Sequence, residues 1–147
     1  IVLLAIGLLI YLKSFLFLKI FKKYEDAKGV QTVYLSKTLL SLAAGSLDDV
    51  EDMDLRSIAG KLDNLRILDC EKACVAAKIK VDALAAFKNG RYEEMMRVND
   101  GDEKTFIYFR KNGKKNEFAL LNIEKDEVQL INIIGTMTLE DIKRCMK

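Results

Sequence analysis

The sequence predicts an α+β fold: an antiparallel sheet, made of a C-terminal four-stranded meander plus an N-terminal strand, packed on helices. Three observations carry this expectation. After Gly90 come four strand-like segments, YEEMMRV, KTFIYFRK, EFALLNI and EVQLINII, separated only by NDGD, NGKK and EKD; links that short join antiparallel neighbours. Before Gly90, helical spacing dominates. The chain closes on TLEDIKRCMK, with Thr138 placed as N-cap, acids in the first turn and Lys143 and Arg144 in the last. Helices early and hairpins late favour helices gathered on one face of the sheet.

Taken in order, the chain starts with IVLLAIGLLIYL, twelve apolar residues without a charge. A membrane-spanning helix needs about twenty, so the run suits the apolar stretch of an export signal. With KSFLFLKIF it could also form a longer anchor whose lysines, Lys13 and Lys19, reach back to water. A buried N-terminal helix is the alternative. Residues 1–19 are therefore expected to be a signal-like or anchoring hydrophobic leader helix, and residues 20–147 a single α+β domain. From Phe17 the spacing is helical through Ile20, Phe21 and Tyr24, and Gly29 is a candidate C-cap.

VQTVYL (30–35), β-branched and aromatic, reads as a strand. SKTLLSLAAG reads as a short helix capped by Ser36 and ended by Gly45. The acidic stretch SLDDVEDMD reads as a loop whose Asp54 caps a helix over LRSIAGKLDNL, with Leu55, Ile58, Leu62 and Leu65 on one face. RIL (66–68) is a short strand. Residues 71–90 form the longest helix, with Cys74, Ala77, Val81, Leu84 and Ala85 as its buried stripe and Gly90 as its stop. In the β half, Asn112–Gly113 is a hairpin signal, because both residues accept positive φ.

Composition bounds the function. A chain of 147 residues, 50% hydrophobic and 31% charged, builds one packed domain. The net charge of +2 is too small to imply nucleic acid. There is no histidine, which removes the Ser–His, Cys–His and His–metal arrangements. The eight glycines fall into no phosphate-loop spacing. Cys70 and Cys74 could lie a helical turn apart, but with Cys145 they make an odd set that suits neither a disulfide framework nor a metal site. Ser36 and Lys37 are adjacent and point apart, so they read as a cap and a solvated lysine. Tyr24, Glu25 and Asp26 lack the burial that tunes an acid–base pair. The acidic loop lacks the register of a hand-type calcium site.

Residues 20–147 resemble the domain of unknown function 4252 family. The likeness is carried by FKKYEDAKGVQTVYLSKTLL, by MDLRSIAGKLDNLRIL, by YEEMMRV with the β-rich half, and by GTMTLEDI. The resemblance implies a small protein with an export signal or lipoprotein-type leader, acting in the bacterial envelope. It brings no activity, cofactor or catalytic residue to transfer. The leader departs from the family pattern: YLKSFLFLKIF stands where a cleavage region would be, and it holds no lipid-accepting cysteine.

The expectation is thus an envelope-associated, non-catalytic domain without a cofactor that binds a protein or another envelope component. Membrane contact would run through residues 1–19. The expected partner surface is an open sheet face with Phe106, Tyr108 and Arg110, continued by the basic hairpin Lys111, Lys114 and Lys115. Two alternatives remain: a small enzyme using carboxylates or a thiol, and an intracellular module that stacks single-stranded nucleic acid on that aromatic-basic face.

Overall fold

The structure, a computed structural model, describes residues 16–42 and 59–145. Its elements are α1 (Leu16–Tyr24), β1 (Val30–Ser36), α2 (Lys37–Leu42), a 3-10 turn (Ala59–Lys61), β2 (Leu62–Cys70), α3 (Ala73–Asn89), β3 (Glu93–Asp100), β4 (Glu103–Asn112), β5 (Lys115–Glu124), β6 (Glu127–Gly135) and α4 (Leu139–Cys145). The strands form one antiparallel sheet in the order β1-β2-β6-β5-β4-β3. The fold is α+β, as expected, and the C-terminal meander is its larger part.

Strand periodicity splits the apolar residues between two faces. On one face Leu68, Cys70, Tyr108, Ala119, Leu121, Val128 and Leu130 pack against α1 and α3. On the other, Leu65, Ile67, Phe118, Ile131 and Ile133 pack with Leu40 of α2, Ile142 of α4 and Met137. Helices cover both faces, not one. The near-unbroken apolar run of β6, buried from Val128 to Ile133, is the sequence mark of that double burial.

In α1 the expected stripe is the observed one, with Phe17, Ile20, Phe21 and Tyr24 all buried. Phe17, on the leader side of the boundary at residue 19, is only 3% exposed and belongs to the core. Gly29 lies in the turn beyond the helix, with φ +86°. Ser36 caps α2 as expected, its hydroxyl accepting from Leu39 N at 3.3 Å. Gly45, the acidic loop, Asp54, Leu55 and Ile58 lie outside the described residues.

The helix expected over 55–65 is corrected at its second half. Leu62 and Leu65 belong to β2, which absorbs the short strand at 66–68 and extends it to nine residues. Their helix-like spacing of three has a different cause. The pairing of β2 with β6 slips between Leu62 and Asn64. A bulge inserts one residue and reverses the alternation, so two leucines three apart reach the same side. Gly135 stands opposite, where a Cβ would collide with the Lys61 carbonyl and lie 3.0 Å from Leu62 Cα.

The buried stripe of α3 is also corrected. Ala76, Ile79, Ala83, Ala86 and Phe87 face the core. Cys74, Ala77 and Ala85 are exposed, Val81 is 66% exposed, and only Leu84 of the expected set is partly buried. The helix carries small apolar residues nearly all round, so spacing alone leaves two stripes in competition. Ile79 and Phe87 decide it, because they remove more apolar area from water than alanine or cysteine can.

The three meander hairpins are tight. Asn112 pairs with Lys115, so the β4–β5 turn is Gly113–Lys114, one residue later than expected, and Gly113 takes φ +68°. At the end of the chain Thr138 and Asp141 form a reciprocal cap. Thr138 Oγ1 accepts from Asp141 N at 3.3 Å, and Asp141 Oδ2 accepts from Thr138 N at 2.8 Å.

Asp141 also receives Lys61 Nζ at 2.8 Å. The Lys61 hydrogen bond first, and the Thr138 backbone bond next, hold its carboxyl near about 2. A depressed carboxylate stabilises the fold above its unfolded value, and that stabilisation fades as pH falls through the folded one. Urea midpoints of wild type and Asp141→Asn should therefore differ most at neutral pH and converge between about pH 4 and about pH 2. Thr138→Ala should cost about 1 kcal/mol in the same assay.

Candidate functional site

Among the described residues, the densest group of buried ionisable and polar side chains lies where α3 gives way to β3. Gly90 ends the helix, with its N–H on the Ala86 carbonyl at 2.8 Å, and Arg91 turns the chain with φ 58°. Tyr92 is thereby set under the helix end. β4 and β5 place Arg110 directly opposite Glu117, and β6 supplies Asn132, two positions along the same face as Leu130.

Glu117 is 3% exposed and carries three partners. Oε1 accepts the Tyr92 hydroxyl and, at 2.9 Å, Asn132 Nδ2. Oε2 accepts Arg110 Nη2 at 2.8 Å. Arg110 also donates to the Gly90 carbonyl at 3.1 Å and lies over the Tyr92 ring at 4.4 Å. Burial, then the neighbouring Glu117 charge, pushes the Tyr92 hydroxyl far above the ordinary phenol value. Tyr92 is therefore held as the donor of its bond to Glu117. The charges of Arg110 and Glu117 are paired with each other, and the carboxylate is further hydrogen-bonded by Tyr92 and Asn132, as a buried ion pair requires. The arrangement can pin β3, β4, β5 and β6 to the end of α3.

A second polar contact clamps α1 to α3. Asp82 accepts the Tyr24 hydroxyl at 2.6 Å and Lys23 Nζ at 2.9 Å. Burial raises the Asp82 pKa, but these hydrogen bonds outweigh it and the net shift is downward. Two grooves of about 230 and 340 Å³ open on either side of this clamp. Their walls are the small and basic residues Lys19 and Ala85 on one side, and Ala77, Lys78 and Val81 on the other.

The expected partner surface divides. Tyr108 is 9% exposed and stacks on Phe87 with ring centroids 3.8 Å apart; Phe106 is half-buried beside it. The open aromatic face is thus corrected: α3 covers it. Arg110, with 14% of its side chain exposed, is committed to Glu117. Lys111, Lys114 and Lys115 stay exposed at the hairpin tip. Lys115 pairs with Asp63, which also meets Lys37 at 3.6 Å. Of the other candidates, Tyr24 is in the clamp, Glu25 and Asp26 are exposed in the turn after α1, Cys70 is buried and Cys74 exposed.

Glu117, Asn132 and Tyr92 were absent from the sequence expectations. One signal existed for Asn132: a lone amide inside the apolar run LINII must find partners when its strand is buried.

The family comparison settles affiliation. The model of a domain of unknown function, DUF4252, matches residues 24–145. The chain belongs to the DUF4252 family. The matched span runs from the last residue of α1 through α4, so it takes in the whole sheet and the Glu117 cluster. No curated protein and no solved structure matches the chain.

Proposed function

We propose that this DUF4252 protein is a non-catalytic, envelope-associated domain that binds a protein or another envelope component. The supporting observation is the saturation of Glu117 by Tyr92, Arg110 and Asn132. That carboxylate is 3% exposed and its three partners come from β4, β6 and the link into β3, which suits a role in holding strands together. A second feature favours an anionic surrounding. Helices α1 and α3 carry Lys19, Lys22, Lys23, Lys78, Lys80 and Lys88 against the single acid Asp82, although the whole chain nets only +2. The lysines of α1 follow soon after the apolar run at residues 1–12, an order suited to a segment at a negatively charged membrane. No described helix is long and apolar enough to cross a membrane.

The remaining contact surface of the earlier set is the hairpin tip with Lys111 and Lys114. Two experiments test the proposal on the full chain with a C-terminal tag. Fractionation should place it with the envelope, and recovery in the soluble cytoplasmic fraction would refute that half. Cross-linking in cells should yield a discrete partner that Lys111→Glu with Lys114→Glu reduces several-fold; an unchanged yield would remove the hairpin from the interface.

A further inference from the structure

The two edges of the sheet are built differently. The far edge, β3, carries Glu93, Glu94, Arg97 and Asp100, and its pairing slips at a bulge between Glu94 and Met96. Charges and bulges are the usual devices that stop a free edge from recruiting another strand. The near edge, β1, has neither. It reads Val-Gln-Thr-Val-Tyr-Leu-Ser, without a charge or a glycine, and pairs with β2 in unbroken register from Val30–Cys70 to Ser36–Asn64. Among the described residues β2 is its only neighbour.

Exposed apolar surface gathers at the same place. Tyr34 is 57% exposed and Val33 38%, one on each face of the strand, and Leu39 and Leu42 of the following helix are 48% and 82% exposed. Outside this corner, the described residues expose large apolar side chains only at Val81, Met96 and Val98. Tyr34 is also held in place: the Arg66 guanidinium lies 4.8 Å over its ring, and Arg66 donates to Asn64 at 2.7 Å. An exposed aromatic side chain already ordered by its neighbours loses little freedom when a partner covers it.

We propose that β1 is a homodimerisation edge, on which a second copy of this chain lays its own β1 antiparallel about a two-fold axis. The sheet would then run unbroken through both copies, six strands from each. A two-fold centred on Val33 uses all seven residues. It sets Val33 against Val33, Thr32 against Tyr34, Gln31 against Leu35 and Val30 against Ser36. Residues opposite one another then share a face, and Thr32 with Tyr34 is a favourable β-branched–aromatic pair. A second copy fits better than a charged foreign strand. Self-pairing of an uncharged strand meets no like-charge contact, which a two-fold interface otherwise has to avoid at the axis, where a residue faces its own copy. The same operation on β3 would bring its charged side chains against one another.

The inference is independent of where the chain acts, and its failure would leave the hairpin proposal standing. The test is sedimentation of the full chain in a non-ionic detergent. Wild type should be dimeric. Val33→Lys and Val33→Glu should each raise the dimer Kd by about tenfold or more, because like charges meet across the axis. Mixing the two variants should restore a dimer. If either variant loses its circular-dichroism spectrum, Tyr34→Glu with Tyr34→Lys provides a paired test at a more exposed position, where the two copies of residue 34 meet diagonally at about 7–8 Å. A monomeric wild type would overturn the proposal, including the case in which the monomer pairs with some other protein's strand. So would a dimer indifferent to residues 33 and 34, which would place the contact on another face.

Discussion

Glu117→Ala should be among the most damaging single substitutions in the protein, costing about 3–5 kcal/mol in urea unfolding. The loss comes from what the substitution leaves behind more than from what it takes away. Arg110, with 14% of its side chain exposed, would keep its charge without the 2.8 Å carboxylate partner. The Tyr92 hydroxyl and Asn132 Nδ2 would lose their acceptor in the same step. A buried donor left unpaired carries its full desolvation penalty, about 1–3 kcal/mol for a neutral group. Glu117→Gln keeps the shape and an acceptor, and should cost clearly less than alanine. Equal losses for Ala and Gln would mean that the charge, not the hydrogen bonding, holds the cluster.

Phe87→Ala should be comparably costly, about 3–5 kcal/mol. Phe87 is 2% exposed and stands at the junction of three elements. Its ring stacks on Tyr108 at 3.8 Å, tilts on Phe17 at 5.0 Å and meets Tyr92 edge-on at 5.6 Å. Truncation would leave a void that α1, α3 and β4 cannot all close. The control is Val81→Ala on the same helix, 66% exposed, which should stay within about 0.5 kcal/mol of wild type. Similar losses at both positions would contradict the observed rotation of α3. A calorimetric or urea comparison of the two variants decides the matter.

The parts of the fold that could be read from sequence are those where one signal faced no rival. The α1 stripe is such a case, because Phe17, Ile20, Phe21 and Tyr24 are its bulky residues off the lysine side. The meander is another, since each turn carries a glycine or an acidic–basic link between alternating runs. The structure departs from the sequence expectation where two patterns overlap. Leu62 and Leu65 looked helical because a bulge supplies a spacing of three within a strand. The face of α3 was ambiguous because alanines surround it, and only the bulk of Ile79 and Phe87 breaks the tie. Whether the Phe106–Tyr108 face was open or covered depended on where α3 lands, a long-range matter that no local pattern records.

The candidate site was harder still. Arg110 was visible as part of an aromatic-basic strand, but its partner Glu117 sits across a hairpin and looked like an ordinary charge at a strand start. Tyr92 reaches the pair only because Arg91 takes a positive φ after Gly90. Convergence of this kind is a property of the register between β4 and β5. It becomes readable once the hairpin turn is placed at Gly113–Lys114, and a turn shifted by one residue would have put Arg110 on the wrong partner.

The central claim is that the buried ionisable side chains of this domain serve its architecture. The most direct test is a double-mutant cycle at Arg110 and Glu117, read as unfolding free energies in urea. Arg110→Met and Glu117→Leu should each destabilise alone. Together they should cost less than their sum, by about 0.5–3 kcal/mol of coupling. Either single substitution raising stability would contradict the claim, because a gain on removal is the mark of a strained group kept for chemistry.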